Sequence, residues 1–230
     1  MPNKFKAIVF DLDNTLIDFM KMKKIACEAA IDAMIKAGMK ADKEMTLKLL
    51  FELYDRYGYE YKQIFQALLK EMTGKVDYAI VAAGIVAYRR ARERMLIPYP
   101  DVRPTLSEMR KKGIKLAIVT DAPRIEAWIR LAAMGIQNDF DAVITYNDSK
   151  AKKPSKKPFL MALKKLKVRP QDTLIIGDSI EKDIEPGNEI GSFTALAKYG
   201  EYKLQKRKMP KKAAKPNFEI KKISEILNLI

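Results

Sequence analysis

The sequence predicts an α/β protein: a Rossmann-like core with a parallel sheet, interrupted after its first strand by an all-helical insertion. Three observations predict it. Short apolar runs, "FKAIVF", "KLAIVT", "AVIT", "TLIIGD" and "FTALA", alternate with helical stretches, the pattern of parallel strands joined by crossover helices. Residues 18–96 break this pattern with helical apolar periodicity and no convincing strand. Polar residues stand where several strand runs end, and functional groups in such sheets gather at the carboxyl ends of strands.

The elements follow in order. The first strand covers 4–10 and ends in turn-prone Asp and Asn. Helices are predicted at about 19–37, 43–56, 60–72 and 77–95, separated by "AGMKADKE", "DRYGYEY" and "TGKVDY". After "IPYPDVRP" a helix near 102–112 ends at Gly113, and strand "KLAIVT" follows. A helix near 124–134 ends at Gly135 and leads to strand "AVIT". A helix near 156–166, strand "TLIIGD", a helix near 182–190 and strand "FTALA" complete the alternation. A basic stretch, partly loop, precedes a last short helix near 220–229. The division is a split core, 1–17 and 97–230, with a helical cap over 18–96.

Composition narrows the chemistry. Apolar residues are 48% and charged residues 32%, which suits a soluble globular chain. The longest apolar stretch, near "AIVAAGIVAY", is far too short to span a membrane. The N-terminus reaches "DLD" too soon for a signal peptide, and Cys27 alone forms no internal disulfide, so a cytoplasmic location is expected. There is no histidine, which excludes Ser-His-Asp and Cys-His catalysis, histidine-ligated zinc and phosphohistidine. Any metal must be held by oxygen and is therefore hard, like Mg2+.

Net charge is +15, and residues 198–222 hold ten Lys/Arg against two Glu. Such a stretch could attract nucleic acid or another polyanion. The run "KLQKRKMPKKAAKP" has no aromatic partners for bases, so a solvated lysine-rich surface is favoured and nucleic acid is not.

The strand ends carry the candidate site. Asp11 and Asp13 follow the first strand, and residues two apart in an extended chain share a face. Thr120 ends the second strand, and Asp178 the fourth, with Asp183 five residues on. Lys153, followed by Pro154, lies ahead of the helix that leads into that fourth strand. Together these make an oxygen-rich metal site, in which Mg2+ relieves carboxylate repulsion and a lysine neutralises a transferring phosphoryl group. A calcium loop does not fit: Leu16 stands where it needs glycine and Met22 where it needs glutamate.

The motifs "DLDNT", "IVTD", "KKP" and "GDSIEKD", in this order, resemble those of the haloacid dehalogenase (HAD) superfamily of aspartate-nucleophile phosphatases. The resemblance covers the core from 5 to about 197, and the helical segment matches the family's C1 cap. It implies that Asp11 is the nucleophile and Asp13 the general acid and then base. Thr120 and Asp121 would bind substrate, with N–H groups near Leu12, Asp121 and Ala122 cradling phosphate. Lys153 would offset charge on nucleophile and phosphate; Lys152 is the fallback in this lysine-rich segment. Asp11, Asp13 (through its carbonyl), Asp178 and Asp183 would form the Mg2+ site, Asp183 as ligand or neighbour. Asp13 points away from haloacid and phosphonate hydrolysis, because by resemblance those enzymes lack an acid at its position. The implied function is Mg2+-dependent hydrolysis of a small phosphorylated metabolite through an aspartyl phosphate. Resemblance to archaeal phosphatases of the family suggests glyceraldehyde 3-phosphate as substrate. The alternatives are a phosphomutase or phosphotransferase, and a polynucleotide phosphatase. The cap turn "YDRYGYEYKQ", with Tyr54, Arg56, Tyr57, Tyr59, Tyr61 and Lys62, could touch the leaving group.

Overall fold

The structure, a computed structural model, describes residues 4–200 and 214–230. The chain runs β1 (Ala7–Phe10), α1 (Phe19–Lys36), α2 (Lys43–Tyr57), α3 (Ile64–Thr73), α4 (Tyr78–Met95), α5 (Val102–Lys111), β2 (Lys115–Val119), α6 (Arg124–Ala133), β3 (Ala142–Ile144), α7 (Tyr146–Ser149), α8 (Lys157–Leu166), β4 (Thr173–Gly177), α9 (Glu185–Glu189), β5 (Phe193–Ala197) and β6 (Phe218–Ile220). Two compact units result: Met1–Phe19 with Ile97–Ile230, and Met20–Leu96.

In the first unit the sheet order is β3-β2-β1-β4-β5-β6, with every neighbouring pair parallel. All residues of β1 are buried, as an apolar run in a doubly covered parallel sheet requires. Phe10 registers with Ile118 on one side and Ile176 on the other, so the ends of β1, β2 and β4 lie level. The chain steps outward from β1 to β3, then returns to the other side of β1 at β4. Such a reversal opens a crevice at the strand ends.

The second unit packs α1 to α4 around Ile31, Met34, Leu53, Phe65 and Leu68. Its one buried lysine among the described residues, Lys23, donates to the Tyr59 carbonyl at 2.6 Å and to the Tyr88 hydroxyl at 2.9 Å. Tyr54 is buried and stacks on Tyr59, and Tyr57 stacks on Tyr61. Tyr57 itself is about half exposed, and Arg56 pairs with Glu71.

Three local expectations change. The helix expected near 182–190 is a π turn, Ile180–Ile184, running into α9, because Pro186 and Gly187 leave little length for a regular helix. The helix expected at 220–229 starts instead as β6, pairing Phe218 with Ala195, and continues as a 3-10 segment, Ile223–Asn228. The pairing with an open edge of β5 decides this, which local pattern does not reveal. The short helix α7, unforeseen, is closed by a capping box between Thr145 and Asp148. Most of the basic stretch expected to face solvent, 201–213, lies outside the described residues. Among the described residues no helix is long and apolar enough to cross a membrane.

Candidate active site

Asp11 is fixed at the end of β1, because its N–H still donates to the Ile176 carbonyl at 2.8 Å. The chain then turns sharply. Asn14 takes a left-handed conformation, φ 60°, which Asn tolerates better than most residues, and its N–H donates to the Ile17 carbonyl at 2.7 Å. Gly200 supports this turn from the other side: a Cβ there would lie 1.8 Å from the Asn14 carbonyl oxygen. Beside this turn Asp13 Oδ1 faces the Arg130 guanidinium, 3.3 Å from Nε.

Lys153 enters from the loop before α8. Its Nζ lies 2.6 Å from Asp11 Oδ1 and 2.7 Å from Asp183 Oδ1, with all three residues buried. Burial pulls its ammonium down, but Asp11, Asp183 and Asp121 outweigh burial and hold it above the ordinary lysine range. Its main-chain N–H donates to Asp121 Oδ1 at 2.9 Å, so Asp121 ties the β2 end to the lysine loop. Two other lysines of the segment are engaged elsewhere. Lys156 pairs with Glu189 at 2.9 Å, and Lys152 sits over the Tyr146 ring.

Asp11, Asp178 and Asp183 each offer a carboxylate oxygen, and the three lie within 4.8 Å of one another. Burial raises the Asp178 and Asp183 carboxyls above the usual range, and the neighbouring Asp11 raises both further. Such a set, oxygen only, with too little positive charge beside it, fits a small hard dication. Asp183 is held in place: Oδ2 accepts from the Ser179 N–H at 3.2 Å, and Gly177 leaves room for it. A Cβ on Gly177 would lie 2.2 Å from Asp183 Cγ. The Asp13 carboxylate stands outside this group.

Thr120 is buried, and its Oγ1 accepts from the Ala122 N–H at 3.1 Å. That N–H, one of those expected to cradle phosphate, is therefore engaged within the loop, while the bond aims the hydroxyl. Sequence reasoning missed Arg130, Gly177 and Gly200. Arg130 had a signal. It shares the buried face of α6 with Ala127 and Leu131, where an arginine is unexpected, while Ile125, Trp128 and Ile129 are exposed.

Residues 5–191 fit the family model of haloacid dehalogenase-like hydrolases. The chain belongs to this family. It is 35% identical over 198 residues to the glyceraldehyde 3-phosphate phosphatase of Methanocaldococcus jannaschii, covering 86% of this chain and 87% of that one. It is 34% identical to the enzyme of the same name from Methanopyrus kandleri, covering 98% and 97%. The solved structure of the HAD-hydrolase YfnB from Bacillus subtilis, bound to magnesium, superposes with a TM-score of 0.71 at 21% identity, covering 99% of each chain. The HAD-like core is thus present with its helical segment inserted between β1 and α5.

Proposed function

We propose that this HAD-like hydrolase is a Mg2+-dependent phosphatase of small phosphorylated metabolites, with Asp11 as nucleophile. The observation that carries the proposal is the buried Asp11 carboxylate gripped by Lys153 at 2.6 Å beside Asp178 and Asp183. The residues to hold Mg2+ are Asp11 and Asp178, with the Asp13 carbonyl as main-chain donor and Asp183 as the anchored neighbour. The ion, when bound, supplies positive charge against the phosphoryl group.

The chain's own groups divide the work. An Asp11 oxygen forms a bond to phosphorus as the ester P–O bond breaks, and Asp13 gives its proton to the leaving oxygen. In the second step Asp13, now a carboxylate, takes a proton from water as the water oxygen attacks phosphorus. The bond to Asp11 breaks, and orthophosphate leaves. Lys153 holds Asp11 in line and offsets charge on the phosphoryl oxygens, to which Thr120 donates. Glyceraldehyde 3-phosphate is the proposed substrate, supported by the names of the archaeal relatives.

The test is phosphate release from p-nitrophenyl phosphate and from glyceraldehyde 3-phosphate, with Mg2+, with EDTA, and in Asp11→Asn. Metal-dependent release that is lost in the variant supports the reading. Unchanged release in Asp11→Asn sinks the nucleophile, and transfer to a second hydroxyl instead of water indicates a mutase.

A further inference from the structure

We propose that Arg130 is a positioning residue for Asp13: its guanidinium fixes the Asp13 carboxyl in the orientation that proton transfer to the leaving oxygen requires. The proposal rests on Asp13 serving as acid and base, as argued above. Arg130 is 1% exposed, and its Nε lies 3.3 Å from Asp13 Oδ1, an ion pair outside hydrogen-bond geometry. The guanidinium carbon sits 4.7 Å from the Phe19 ring centroid, over a second fixed surface. Both Asp13 and Phe19 lie in the segment that leaves β1, while Arg130 reaches them from α6.

Packing alone does not account for this residue. Its companions on the buried face of α6, Ala127 and Leu131, are apolar, and a leucine would fill the position without desolvating a charge. Removing a guanidinium from water is costly unless anions meet it, and the Asp13 carboxylate is one that does. The Asp13 carboxyl, three residues past the end of β1, has two rotatable side-chain bonds. A buried cation anchored on a helix and stacked on a ring restricts them through the ion pair.

The role predicts a pattern that a purely structural residue does not produce. Proton donation matters for a poor leaving group and little for a good one. The measurement is kcat/KM with Mg2+ for an alkyl ester, glycerol phosphate, and for 2,4-dinitrophenyl phosphate; this ratio reports only steps up to phosphoryl-enzyme formation. Arg130→Met should lower kcat/KM for the alkyl ester about 10- to 100-fold more than for the aryl ester, within the range general acids contribute. Arg130→Lys, which keeps a cation without the planar fork, should recover part of the difference. Asp13→Asn should show the same selectivity, and adding Arg130→Met to it should enlarge the selectivity no further.

Equal losses on both esters would make Arg130 structural and overturn the proposal, as would a further gain in selectivity in the double variant. If Arg130→Met does not fold, as its circular dichroism would show, Arg130→Gln takes its place with the same expected selectivity. Failure of the underlying reading looks different. It appears as a wild type without Mg2+-dependent turnover, or as Asp13→Asn losing both esters equally.

Discussion

Lys153 Nζ bridges Asp11 and Asp183, 2.6 Å from one carboxylate and 2.7 Å from the other, with all three side chains buried. The lysine is the positive half of a cluster whose negative half exceeds it. Lys153→Met leaves two buried carboxylates facing each other, and removing one partner of such a group costs about 3–5 kcal/mol. We expect a fall in Tm on the order of 10 °C in EDTA, partly reversed by Mg2+, and a loss of activity of roughly 100-fold or more. Thermal melts with and without the metal check this; an unchanged Tm in EDTA would show that the lysine does not neutralise the cluster.

Gly177 is the second lever on the same cluster. An alanine Cβ there would lie 2.2 Å from both Cγ and Oδ2 of Asp183. The neighbour is not the loose end of a surface chain but a carboxyl held by Lys153 and by the Ser179 N–H. Asp183 must therefore rotate away in Gly177→Ala. The expected result is Mg2+ affinity weaker by about 10- to 100-fold, as for other losses of a group that supports metal ligands. Titration of activity against Mg2+ measures it, and wild-type affinity would mean that Asp183 has no part in the metal site.

The raised carboxyls give a pH signature. Asp178 and Asp183 have folded-state values above the ordinary carboxylate range, so the folded chain binds more protons than the unfolded one in that interval. Their contribution to stability is greatest at acid pH and declines as pH rises through the folded values. Lys153 is shifted upward from an already high value, so its own contribution is constant across that window. In the proposed function a dication replaces the protons as pH rises. The gain in Tm on adding Mg2+ should therefore grow between about pH 5 and about pH 8. Thermal scans in EDTA and in Mg2+ across that range decide it, and a gain independent of pH would count against a metal held by these carboxylates.

Much of this was legible in the residues, for physical reasons. β1, β2, β4 and β5 are apolar runs between polar turns, and full burial in a parallel sheet makes such runs readable. Asp11, Lys153, Asp178 and Asp183 stood out because acids after apolar strands and a lysine before proline are local patterns. β6 was not legible, since "FEI" becomes a strand only by finding the edge of β5. Gly177 and Gly200 were invisible because what they avoid, Asp183 and Asn14, is brought to them by the fold. Arg130 lay between these cases: its helical phase marked it as buried, but only the structure names Asp13 as its partner.

Thr120 offers the sharpest separation of binding from folding. Its Oγ1 already accepts the Ala122 N–H at 3.1 Å, so the hydroxyl proton points away from that bond, and in the proposed function it donates to a phosphoryl oxygen. Thr120→Ser keeps both functions. Thr120→Val keeps shape, removes the donor and leaves the Ala122 N–H without its acceptor. A hydrogen bond to a charged oxygen contributes about 1.5–3 kcal/mol, which predicts an inhibition constant for orthophosphate roughly 10- to 100-fold weaker in Thr120→Val. The serine variant should stay within a few-fold of wild type. Equal phosphate inhibition in all three proteins would remove Thr120 from the substrate site and leave its hydroxyl as a loop cap.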